Sequence, residues 1–213
     1  MLEVHPPHEK VHGVKDFFLH IFTITIGLLI ALSLEGLVEW QHHRHLVAEA
    51  KESLHEEIKS NSEKISDSLT KLHKHQSELA HDLEVLNYII EHKKVPEKSE
   101  MEVGFNMETL RDVSWKTAQA TTALSLMPYK EAQEYSDIYA TQEQLAVAER
   151  QATRDTIVSL APFSGGNDTD PTGGRAQEVR NSVQLLLGQL MLVDSLMKGL
   201  ETQYKEFLAA HPE

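Results

Sequence analysis

The chain has 213 residues, with 33 Asp and Glu against 20 Lys and Arg, a formal net charge of −13 and an isoelectric point near 5.4. A nucleic-acid binder needs a basic face that displaces counterions from phosphates, so this balance argues against nucleic acid as a partner. The absence of Cys removes disulfides, thiolate metal sites and a Cys nucleophile. The length suits one domain plus an anchor, and 6% aromatics with only 10 Gly and 7 Pro predict an all-α chain over a β-sandwich.

Residues 1–16 form a short tail before the first apolar run. His8, His12, Asp16 and His20 are spaced by four. On a helix starting at Pro7 they would share one face, and imidazole with carboxylate is a ligand set for zinc or another divalent ion. The ordinary reading is a polar juxtamembrane face in a chain that has 13 His, with Gly13 weakening the helix.

Residues 17–38 read FFLHIFTITIGLLIALSLEGLV, with His20 and Glu35 as the sole ionisable groups. A helix of this length covers about 30 Å, the thickness of the hydrocarbon core. Phe17, Phe18 and Phe22 at one end and Trp40 at the other suit the two interfaces, so a transmembrane helix is expected over residues 17–40. Two readings compete: a buried core helix, although an apolar run all round the helix is unusual in a domain this small, and a cleaved signal peptide. Its small-x-small site, Ala31-Leu32-Ser33, lies inside the apolar run with Leu34, Leu37 and Val38 still to come. Lys10 and Lys15 before the span nearly balance Arg44, Lys51 and Lys59 after it, so charge alone leaves the orientation open.

Thr23, Gly27, Ala31 and Glu35 recur every four residues, with Glu39 and His43 continuing the line. Small residues on one face of a span favour close helix–helix packing in lipid. This face predicts a homo-oligomer or docking on another membrane protein; the alternative is that Glu35 merely reaches to the interface. His42 and His45, spaced i, i+3, are a further candidate metal or pH-sensing pair, or simply interfacial residues.

Nothing between Trp40 and Val47 breaks the helix, which is expected to run on into the water-borne domain, residues 41–213. Val47, Ala50, Leu54, Ile58, Ile65, Leu69, Leu72, Leu79, Leu83, Leu86 and Ile90 follow helical spacing, with Gln76 in the stripe. Val95-Pro96 ends the helix, and a loop is expected over residues 95–106. A second helix is predicted over residues 107–126, with Leu110, Val113, Thr117, Ala118, Thr121 and Leu124 inward. Pro128 opens a third, carrying Ala132, Tyr135, Tyr139, Leu145 and Ala146 and fading near Ala161-Pro162. Residues 163–174, rich in Gly, Asp and Asn, are a loop. Val179, Val183, Leu186, Leu190, Val193, Met197, Leu200, Tyr204 and Phe207 then alternate spacings of four and three, a coiled-coil-like seam. The sum is an elongated antiparallel bundle of about four helices.

Two patches resemble a family of uncharacterised bacterial single-pass inner-membrane proteins. The first runs from His12-Gly13 to Glu39-Trp40, with its TITIGLLIALSLE core and the following HHRH. The second is Ser114-Trp115-Lys116-Thr117-Ala118, then Ala123-Leu124-Ser125-Leu126-Met127-Pro128 and the paired Tyr135 and Tyr139. Together they cover about a third of the chain. The resemblance implies an inner-membrane helical protein with its N-terminus inside and its domain in the periplasm. It brings no catalytic residues.

Trp115, Tyr135 and Tyr139 are candidates to line a ligand pocket, although aromatics at helical spacing more often fill a core. Asn167-Asp168-Thr169-Asp170 lacks the downstream Glu of a calcium loop. No phosphate loop, His-Glu-x-x-His or Ser, His and Asp set is present. No cofactor is expected, and the chain does not read as an enzyme. The expected function is a membrane-anchored helical interaction or scaffold protein, whose partners are the bilayer and either a second copy or another membrane protein. The alternative is a sensor-like bundle that binds a small molecule or metal. With only about 16 residues before the span, it would have to pass its signal to a partner.

Overall fold

The computed structural model describes residues 13–97, 108–160 and 174–212. Every regular element among them is a helix: α1 Val14–His92, α2 Val113–Ala120, α3 Ala123–Leu126, α4 Tyr129–Leu160 and α5 Gly174–Ala210. The chain divides into two compact units, Met1–Ala48 and Glu49–Glu213. Helix α1 contributes to both and has no break between Val14 and His92, as the unpunctuated sequence predicts.

In the first unit the helix begins where the Gly13 carbonyl accepts the backbone N–H of Asp16 at 2.8 Å. From residue 13 to residue 42 every side chain is exposed. Among the described residues, α1, through this apolar run, and α5 are the two helices long and apolar enough to cross a membrane. They differ in how they are used, because the buried face of α5 belongs to the core of the second unit.

That second core is built from three long helices. Leu54, Ile58, Ile65, Leu69, Leu72, Leu79 and Leu86 of α1 are buried, and Leu83 and Ile90 are half-buried. All nine α5 seam residues, Val179 to Phe207, are buried, so the regular four–three spacing does specify the packed face. Helix α4 adds Tyr135, Ile138, Tyr139, Leu145, Ala148 and Ala152. Burying each large apolar side chain contributes ~1.5–3 kcal/mol, which dwarfs the weak intrinsic preference of a helix for one face.

Contacts fix the chain directions within this unit. Lys51 pairs with Glu131, Glu57 with Tyr139 and Asn61 with Gln142, so α4 runs parallel to α1. His73 meets Asp194, Gln76 meets the Leu190 carbonyl and Asn87 meets Arg180, so α5 is antiparallel to α1.

The chain returns between α1 and α4 without the single helix predicted over residues 107–126. Lys71 pairs with Glu108, Asn61 with Arg111 and Glu57 with Ser114. The α1 stretch between these partners rises about 21 Å, more than twice the ~9 Å that residues 108–114 would rise as a helix. The chain is therefore non-helical over residues 108–112, and helix α2 begins at Val113 and stops at Ala120. Thr122 then adopts the left-handed conformation, φ 62° and ψ 5°, and α3 follows for one turn. The inward set changes accordingly: Ala118, Ala123 and Met127 are buried, Leu110 and Leu124 are half-buried, and Val113, Thr117 and Thr121 are exposed. Two causes act here, one from distant residues and one local. Side chains of α1 and α4 occupy the Arg111 backbone groups that a helix would need, and β-branched Thr121 and Thr122 interrupt the run that follows.

Candidate functional site

Three features outside the plain core bear on function. The first is the apolar stretch of α1. Its hydroxyls are satisfied within the helix: Thr23 Oγ1 donates to the Leu19 carbonyl at 2.9 Å, Thr25 Oγ1 to Ile21 at 2.8 Å and Ser33 Oγ to Leu29 at 2.6 Å. A polar group in hydrocarbon must find such a partner, since no water supplies one. Thr23, Gly27, Ala31 and Glu35 all lie exposed, and a Cβ added at Gly27 or Gly36 would meet nothing within 4 Å. Glycine in mid-helix costs ~0.5–1 kcal/mol relative to Ala, and contacts within the chain do not offset it here. The far end carries interfacial chemistry, with the Arg44 guanidinium 4.7 Å above the Trp40 ring and His43 3.8 Å from Glu39.

The second feature is a polar network buried between α1, the return segment, α4 and α5. Asn61, with no exposed surface, grips the main chain of Arg111 twice. Its Oδ1 accepts the Arg111 N–H at 2.9 Å and its Nδ2 donates to the Arg111 carbonyl at 2.7 Å. Gln142 Nε2 donates to that same carbonyl at 2.7 Å, while its Oε1 accepts from the Tyr204 hydroxyl at 2.7 Å. Glu57 accepts from the Ser114 N–H at 2.9 Å and from the Tyr139 hydroxyl at 2.7 Å. Burial, reinforced by the hydrogen bond and charge of Glu57, pushes the Tyr139 phenol far above its ordinary value. Burial does the same to Tyr204. Both phenols are therefore fixed donors. Glu57, Asn61, Gln142 and Tyr204 were not among the residues predicted to matter. The available signal was Asn61 itself, a polar residue in the seam position between Ile58 and Ile65.

The third feature is a groove of about 520 Å³ between the return segment and α4, walled by Trp115, Leu110, Leu145, Ala140 and Ala146. Trp115 lies parallel to Tyr139, with ring centroids 5.0 Å apart and planes at 5°. Polar groups on the wall include Lys116 and Asp112, paired at 2.7 Å, Arg150 and Glu143, paired at 3.2 Å, and Glu149. Burial raises the Glu149 carboxyl to about 7 against a modest opposing pull from Arg150.

The third aromatic expected in this pocket is elsewhere. Tyr135 packs on Phe207 with centroids 5.1 Å apart and faces a second groove of about 550 Å³, together with Glu52, His55, Glu131 and His211. Burial, aided by Glu131 and Glu134, pushes its phenol up to about 12. The cause of the separation is helical phase: residues 135 and 139 are about 40° apart around the axis, enough to face different neighbours.

Of the histidine candidates, His8 and His12 lie outside the described residues. Asp16, His20, His42 and His45 are exposed on α1, and no group of three His, Asp or Glu able to hold a metal ion occurs among the described residues. Asn167 to Asp170 also lie outside them. Further along α1, His73, His81 and His92 are exposed; His73 lies 2.7 Å from Asp194, and His92 stacks on Tyr88 with centroids 4.2 Å apart.

No family model matches the chain, and no curated protein or solved structure does so either.

Proposed function

We propose that this chain is a membrane-anchored helical interaction protein, which self-associates or docks on another membrane protein through the face of Thr23, Gly27, Ala31 and Glu35. On this reading residues 17–40 form a single span, and the second unit is an antiparallel bundle of about four helical elements. The resemblance noted in the sequence supports a bacterial inner membrane as its location, with that unit on the periplasmic side. One observation carries the reading. The apolar stretch exposes all its side chains, satisfies its own hydroxyls, and has glycines with no neighbour inside the chain. An exposed apolar run whose hydroxyls bond within the helix suits a lipid solvent, and its glycines leave room for a second helix to approach closely.

Crosslinking in mild detergent, read by mass spectrometry, tests it. The intact chain is expected to give a dimer or a complex with a membrane partner, and Gly27→Leu with Glu35→Leu is expected to abolish it. Recovery of monomer alone, unchanged by either substitution, would sink the proposal.

A second reading has its own support. The groove beside Trp115 has the volume of a small-molecule site and brings polar groups onto an apolar wall. It makes the second unit a ligand-binding module that passes its state to a partner.

A further inference from the structure

We propose that the groove beside Trp115 receives a small organic cation, an ammonium group carried on a flat or apolar body. The inference rests on the ligand-binding reading and adds the ligand's charge. The arrangement of ion pairs carries it. Both cations on the wall are already seated on acids, Lys116 on Asp112 at 2.7 Å and Arg150 on Glu143 at 3.2 Å. An arriving carboxylate or phosphate would have to displace those acids while facing a third, because Glu149 lines the same groove. Among the described residues Glu149 has no ion pair. A cation meets the opposite situation: Arg150 acts on Glu149 only from a distance while paired with Glu143, and the ligand supplies Glu149 with an ion pair of its own.

The rest of the wall suits the body of such a ligand. Trp115 is half-buried and stacked on Tyr139 by one face, and an indole ring attracts cations more strongly than any other aromatic side chain. Leu110, Ala140, Leu145 and Ala146 supply an apolar floor. A volume of about 520 Å³ falls within the range of small-molecule sites, ~300–1,000 Å³. Burial raises the Glu149 carboxyl to about 7, a shift that a cation seated beside it would oppose.

Calorimetric titration of the full chain in detergent, at about pH 8, tests the inference with three probes on one skeleton. Phenethylammonium, 2-phenylethanol and 3-phenylpropionate share a phenyl ring on a two-carbon arm and differ in charge. Phenethylammonium is expected to bind saturably, about tenfold tighter than the alcohol, with the carboxylate weakest. Glu149→Gln removes a charge that burial opposes, so it is expected to fold; it should lower ammonium affinity about tenfold and leave the alcohol unchanged. Trp115→Leu should weaken all three. Equal binding of ammonium and alcohol, or indifference to Glu149→Gln, overturns the cation and leaves the groove reading standing. Absence of saturable heat from every probe overturns both.

Discussion

Asn61 occupies a seam position where its neighbours one turn away are Ile58 and Ile65, and it is as buried as they are. A bare amide there would be destabilising; the Arg111 backbone, whose N–H and carbonyl it bonds at 2.9 and 2.7 Å, offsets that cost. Asn61→Ala would leave the Arg111 N–H without its partner, and an unsatisfied buried donor costs ~1–3 kcal/mol. The loss is expected as a lower denaturation midpoint, and a midpoint equal to the parent's would show that water replaces Asn61. Glu149 makes the opposite case. Its folded value of about 7 lies above the ordinary 4.5, so the folded state holds the proton more tightly than the unfolded chain. The stability linked to that proton is complete below about pH 4.5 and is lost as pH rises through 7. Glu149→Gln should therefore change little at pH 4 and stabilise by ~1–3 kcal/mol at pH 8. Melting curves at the two pH values check it, and equal gains at both would refute it.

Two helix ends show what a regular pattern leaves unspecified. Helix α1 stops at His92 because Lys93 turns into the left-handed region at φ 54° while its N–H still reaches the Ile89 carbonyl at 2.8 Å. This is the usual closing geometry of a helix, but glycine is the residue that adopts it without strain. Lys93→Gly is expected to raise the unfolding free energy by ~0.5–1 kcal/mol, and Thr122→Gly, at φ 62°, by at least as much because Thr is β-branched. Urea titrations read both; destabilisation by either would show that its side chain makes contacts outweighing the strain. The stop at Val95-Pro96 was legible to within three residues, and the α5 seam was legible throughout, since periodic burial writes itself into periodic sequence. The region between Glu108 and Met127 was not. Its apolar residues suggest one helix, but its path is set by Glu57, Asn61 and Gln142, which lie 30 to 60 positions away in the chain. Local periodicity carries no trace of such distant bonds. The pairing of Trp115 with Tyr139 depended on the same unforeseen path, whereas the turn of Tyr135 towards Phe207 follows from its phase on α4.

At the scale of the whole molecule, the two units rest on different physics. Among the described residues every buried hydrophobic lies between Leu54 and Phe207, inside Glu49–Glu213. The apolar stretch of α1 adds none, with Phe18 63% and Leu29 57% exposed. On the proposed reading its burial comes from a bilayer or a partner helix, while the second unit contains its own core. A chain that begins at Glu49 should consequently keep a cooperative thermal transition, with a midpoint within about 5 °C of the full chain in detergent. The truncation should also pass from the membrane fraction to the alkaline-carbonate supernatant, where the full chain is expected to remain pelleted. Circular dichroism and carbonate extraction measure the two halves of this prediction. A truncated chain that melts without a transition would mean that residues before Glu49 support the core by contacts its burial pattern does not contain. A full chain released by carbonate would remove the bilayer from the account, leaving a protein partner as the only means of covering residues 17–40.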